Sequence, residues 1–136
     1  GEEAIKLYKS LYKPSERHPK PHAGICVWAL AAKTEAEAHF QFQSRARFRL
    51  LRDRGIFTAI ETPEAAGAYT YSDSERARME HYRNQNFVGT GKDVAARIRA
   101  LAERLDLQEV AIVTWTADEE VRKESYRLIL EAMRAG

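Results

Sequence analysis

Apolar residues along this chain fall into unbroken runs and helical stripes, and their order defines an alternation of strand and helix. From Ala23 to Ala31 the chain reads AGICVWALA, apolar at consecutive positions and short, as a parallel strand buried on both faces would be. A second such run, QEVAIVTW from Gln108 to Trp115, is β-branched and ends just before a helix start. Ahead of the first run, Ile5, Tyr8, Leu11 and Tyr12 recur at helical spacing over Glu2 to Tyr12, with no capping residue before them. The uncapped start suggests a helix entered part-way. Pro14, Pro19 and Pro21 then forbid helix and impose an extended connector.

Thr34 and Glu37 stand at the spacing of a capping pair and open a helix whose stripe is Ala36, Phe40, Phe48 and Leu51, interrupted by Ser44 and stopped at Gly55. The stretch from Gly55 to Asp73 has no period, contains Pro63 and Gly67, and predicts a long loop over 55–73. Ser72 and Glu75 open a polar helix from Asp73 to Asn84. After Phe87, Val88 and Gly89-Thr90-Gly91, the spacing of Val94, Ile98, Leu101 and Leu105 predicts a helix over Lys92 to Leu105. Thr116 and Glu119 form a third capping pair for a closing helix, Asp118 to Arg134, with Val121, Leu128, Ile129 and Ala132 turned inward. Two strands that each run into a helix define an α/β fold of about two β/α units plus extra helices, with the strands parallel. Neither run has the polar alternation of an edge strand, so further structure should cover them.

Composition narrows the partners. The 136 residues carry 22 Lys+Arg against 20 Asp+Glu, a net charge of +2 that provides no bulk field for nucleic acid or an anionic membrane. No apolar stretch approaches the ~20 residues that cross a bilayer. Cys26 stands alone in an apolar run, which fits a buried thiol in a reducing compartment and makes the cytoplasm the expected location.

Candidate chemistry is sparse. His18 and His22 are kept off a helix by the prolines around them, so they form no metal face, and no metal site is expected. Gly89-Thr90-Gly91-Lys92 resembles a phosphate loop but lacks the first Gly, at Asn86, and the hydroxyl after the Lys, at Asp93. A helix start after a tight turn explains it. Arg45, Arg47, Arg49, Arg52 and Arg54 crowd one helix, with Arg45, Arg49 and Arg52 on a face away from Phe48 and Leu51, as a solvated face would be. Trp28 and Trp115 lie at or near the C-terminal ends of the two strands, where α/β folds bind ligands, although both indoles could equally be core.

Three stretches carry a resemblance to one family. These are Tyr8 to Ala32, with an aromatic-basic-Pro-Ser turn and an apolar strand closing on Ala-Ala before Thr34-Glu35-Ala36-Glu37-Ala38; YRNQNFVGTGKDVAARI, Tyr82 to Ile98; and Leu107 to Ile129, ending in DEEVRKESYRLI. In this order they resemble the C-terminal portion of the luciferase-like monooxygenases, the flavin-dependent oxidoreductases related to bacterial luciferase. The resemblance implies that residues 1–136 are a single partial domain, the closing part of a TIM-type (β/α)8 barrel. It implies oxygenation of a small organic substrate with O2 and reduced FMN, the flavin coming from a partner reductase, with F420 left open as the cofactor. A barrel enzyme places its site at the C-terminal ends of its strands. Trp28, Lys33, Thr114, Trp115 and Thr116 are therefore the expected cofactor-binding residues, and no catalytic residue is assigned. The strands would be covered by the remainder of the barrel or by a second copy in a homo-oligomer, and the 136 residues alone are expected to be inactive. The contrasting expectation is a non-catalytic α/β assembly or binding module derived from the same fold.

Overall fold

The apolar run after Ala23 becomes the central strand of the molecule. In a computed structural model, which describes every residue from Gly1 to Gly136, the elements are α1 (Glu2–Leu11), β1 (Gly24–Ala32), α2 (Glu35–Asp53), α3 (Pro63–Gly67), α4 (Asp73–Gln85), β2 (Phe87–Thr90), α5 (Gly91–Leu105), β3 (Glu109–Val113) and α6 (Glu119–Ala135). The sheet has three strands in the order β2-β1-β3, and both neighbours run parallel to β1. β3 lies beside Gly24 to Trp28, whereas β2 lies beside Ala29 to Ala32. The two long apolar runs are thus parallel neighbours. The sequence pattern missed β2, because four residues ending in Gly89-Thr90 are too few to show a period.

Helices cover both faces of β1, which explains its lack of alternation. Trp28, Leu30 and Ala32 point to α2, where Ala38, Phe42, Ala46 and Leu50 form the facing stripe, joined by Tyr82 and Val88. Val27, Ala29 and Ala31 point the other way, onto Val94, Ile98, Leu101 and Leu105 of α5 and Ile129 of α6. The α5 stripe is the one its spacing predicts. The α2 stripe is not: Phe40 is exposed, and Ser44, expected to interrupt an apolar face, is buried with no hydrogen-bond partner for its hydroxyl. α2 is rotated so that the face carrying Ala38, Phe42, Ala46 and Leu50, not the Phe40 face, meets β1 together with Tyr82 and Val88.

Local signals set most boundaries. The Thr34 hydroxyl accepts from the Glu37 N–H, and Ser72 with Glu75 makes a full reciprocal box. The third cap moves: Asp118, not Thr116, caps α6, its carboxylate accepting from the Glu120 N–H. The 55–73 segment is not wholly irregular, since Thr62 caps a single turn, α3, over Pro63–Gly67. Cys26 is a correction. Its thiol is exposed rather than buried, because it sits on the half of β1 that α2 does not reach. No helix is long and apolar enough to cross a membrane.

Candidate functional site

Trp28 stands in the middle of β1 rather than at its C-terminal end, beside Val113 at the end of β3, and Trp115 lies just beyond β3. α2 brings Arg45 over both, a consequence that helical spacing does not disclose. Arg45 is half-buried, its guanidinium carbon 5.3 Å from the Trp28 ring centroid and 4.8 Å from that of Trp115. Two more aromatic rings brace the indoles edge-on, Phe42 at 5.5 Å from Trp28 and Phe48 at 6.1 Å from Trp115. Trp28 is buried, and its indole N–H has no partner within the chain. Trp115 is 47% exposed and forms the open side of the cluster.

The charge at its centre is unbalanced. Burial first, then the like charges of Arg49 and Arg52, push the Arg45 guanidinium down from its usual value, and no carboxylate offsets them. Arginine stays ionised under any such shift. Arg45 is therefore a cation held by the faces of two indoles, an attraction of about 0.5–2 kcal/mol per pair depending on desolvation. Arg49 differs, since its guanidinium pairs with Asp53 at 3.2 Å. Such a constellation, an unpaired cation beside a half-open aromatic wall and a donor without an acceptor, can hold a flat or anionic group.

The five expected cofactor residues part company here. Trp28 and Trp115 come together through Arg45. Thr114 is 1% exposed, and its hydroxyl donates to the Ala29 carbonyl at 2.6 Å, so that it ties the end of β3 to β1. Its backbone N–H donates to the Tyr126 hydroxyl at 3.1 Å. The Thr116 hydroxyl donates to the Asp118 carbonyl at 2.6 Å, inside the turn that precedes α6. Lys33 is exposed and lines a separate cleft of about 260 Å³ with Glu37 of α2 and Glu124 of α6. Arg45 is the residue that sequence pattern placed on the solvated face. An i to i+4 pattern through Ala38, Phe42, Ala46 and Leu50 would have placed it next to the core.

A larger groove, about 740 Å³, runs along the part of β1 from Ile25 to Trp28, on the side where β2 does not extend. Arg45 and Arg49 border one side of it and Arg97 and Arg104 the other.

No family model matches the chain. It is 35% identical over 134 residues to the uncharacterized protein YwcH of Bacillus subtilis (strain 168), covering 97% of this chain and 40% of that protein. It is 26% identical over 129 residues to a protein of Escherichia coli (strain K12) called luciferase-like monooxygenase, covering 95% of this chain and 38% of that protein. The crystal structure of apo-MsnO8 matches it with a TM-score of 0.83 at 22% identity, over 99% of this chain and 41% of the other. The chain thus spans about two-fifths of the length of these relatives, and its mixed α/β architecture is that of part of a larger fold.

Proposed function

We propose that these residues are the closing, C-terminal portion of a flavin-dependent luciferase-like monooxygenase, two of whose barrel strands are β1 and β3. The observation that supports this most is the similarity to the luciferase-like monooxygenase of Escherichia coli along 95% of the chain. The arrangement of β1 and β3, each covered by helices and each leading towards a helix start, is compatible with adjacent barrel strands.

The cluster around Arg45 fits a reduced flavin on chemical grounds. Trp115 presents a half-exposed aromatic face, Arg45 a positive charge without a carboxylate, and Trp28 a buried N–H without an acceptor. A planar ring that carries negative charge answers all three. Bound there, reduced FMN delivered by a separate reductase would supply the two electrons that, with two protons, let one oxygen of O2 pass to a small organic substrate while the other leaves as water. The protein's own part is to stack on the ring through Trp115, to stabilise its charge through Arg45, and to keep water out with Phe42 and Phe48. Thr114 acts indirectly, because its bond to the Ala29 carbonyl holds the turn that carries Trp115.

The test is anaerobic titration of the full barrel, containing these residues, with reduced FMN. Quenching of indole fluorescence is expected, with Arg45→Gln weakening the affinity by about fivefold, the equivalent of one cation contact. Equal affinities for the parent and Arg45→Gln, with both folded, would remove this cluster from the flavin site. Absence of any flavin-dependent O2 uptake with small organic substrates would overturn the proposed activity itself.

A further inference from the structure

α4 crosses α2 and is bonded to its C-terminal end, where Arg54 pairs with Glu75 at 2.6 Å and Asp53 accepts from Arg78 and Tyr82. Those bonds use one face of α4. The next face carries Met79 and Arg83, and between it and α2 lies a groove of about 380 Å³, towards the small end of the range for ligand sites. Its floor is apolar. Phe42 and Ala46 of α2 belong to the core, and Met79 packs against that core from α4. Tyr71, from the segment before α4, completes the lining and is fixed by its hydroxyl, which donates to the Ala66 carbonyl at 2.5 Å. Two aromatic rings and a thioether suit a flat apolar body, since ring edges and sulfur both pack well against a ring.

The rim decides the charge of what would enter. Two arginines, one glutamate and His39 border the groove. Arg76 is engaged, its guanidinium donating to Asp73 and to the Tyr71 carbonyl. Arg83 is held only loosely, by Glu80 at 3.4 Å and His39 Nδ1 at 3.5 Å, both longer than an ordinary hydrogen bond. Its side chain is 32% exposed, whereas that of Glu80 is 64% exposed and so largely solvated. A guanidinium with donors to spare at the edge of an apolar floor matches a carboxylate, which accepts two parallel N–H bonds from it. An ammonium group there would face two arginines and a single, solvated carboxylate.

We infer that the groove between α2 and α4 is a binding site for a small aryl carboxylate. The ring lies on Phe42, Ala46 and Met79, and the carboxylate meets Arg83 with His39 beside it. The site requires neither flavin nor Arg45, so it goes beyond the proposed activity and stands apart from it.

The chain has two methionines, Met79 in the groove and Met133 in the packing between the sheet, α5 and α6. Their isotope-labelled methyl groups are followed by NMR while the 136-residue chain is titrated with phenylacetate, phenylethanol and phenethylamine. Phenylacetate is expected to move the Met79 signal saturably and to leave Met133 in place. It should bind about fivefold more tightly than either counterpart, the effect of one partly exposed ion pair. Arg83→Gln should remove that preference while keeping the affinity for phenylethanol, and an unmoved Met133 signal shows that the variant is folded. Equal affinities for phenylacetate and phenethylamine, no movement of Met79 with any of the three, movement of Met133 alone, or a preference that survives Arg83→Gln would overturn the inference. So would a Met79 signal that shifts with protein concentration alone, which would assign the groove to a second copy. No flavin is present, so a failure here leaves the proposed activity standing, and failure of the full barrel to use flavin leaves this site standing.

Discussion

Thr114 secures the end of β3 to the middle of β1 with one hydroxyl, and its surroundings make the cost of losing it calculable. Val at this position keeps the shape but leaves the buried Ala29 carbonyl without its partner. Thr114→Val is expected to cost about 1–3 kcal/mol, seen as a lower urea midpoint with an unchanged slope. An unchanged midpoint would mean that water replaces the hydroxyl. Asp53 gives a second residue-level expectation. Its carboxylate accepts from the Tyr82 hydroxyl at 2.5 Å and from Arg78 at 3.2 Å, and these bonds, Tyr82 first, hold its carboxyl below the usual range. A carboxyl lowered in the folded state adds stability that is complete above its unfolded value, near pH ~4, and is lost as pH falls through the lower folded value. Asp53→Asn should therefore flatten the acid limb of the stability curve. Equal acid limbs in parent and variant would remove this trio as a source of acid sensitivity. None of these partners is visible in the sequence, because Asp53 and Tyr82 meet only when α4 folds back on the end of α2.

At the scale of elements, signals confined to one turn were legible and contacts between elements were not. Ser72 and Glu75 announce their helix with a box of local hydrogen bonds. Ser72→Ala should cost about 1 kcal/mol and speed amide exchange in the first turn of α4 before it affects α5. Gly91 shows the opposite case. In the sequence it is one more glycine in a turn, yet a Cβ there would stand 2.6 Å from the Leu128 carbonyl oxygen of α6. A backbone atom cannot yield as a flexible side chain does, so Gly91→Ala should destabilise by about 1–3 kcal/mol, read by thermal unfolding. An unaltered melting temperature would show that the start of α5 can move away from α6. The misplaced stripe of α2 has the same origin. Helical spacing identifies which residues share a face, but with Phe42 on a different face from Phe40 and Phe48 it cannot decide which face meets β1.

Over the whole molecule, order should follow coverage. β1 is packed on both faces, whereas α1 has no buried residue and leaves Leu7 58% and Leu11 68% exposed. α1 is held largely at its ends, by Lys9 to the Leu105 carbonyl and Asp106, and by Glu2 to Arg104. Amides of α1 should therefore exchange well ahead of those of β1 in the 136-residue chain. Comparable protection of the two would mean that α1 is docked more firmly than its exposed leucines indicate. The same uneven coverage accounts for Cys26 being exposed on a strand whose other half is fully enclosed.

The amino-acid sequence by itself determined the α/β class, the two apolar strands, the amphipathic face of α5 and the helix starts at Thr34 and Ser72, because each depends on residues within a turn or two of one another. Only the tertiary structure decided the third strand, the rotation of α2 and the position of Arg45 between Trp28 and Trp115. Those features arise where distant segments compete for one surface, and periodicity along a chain carries no information about which of them wins.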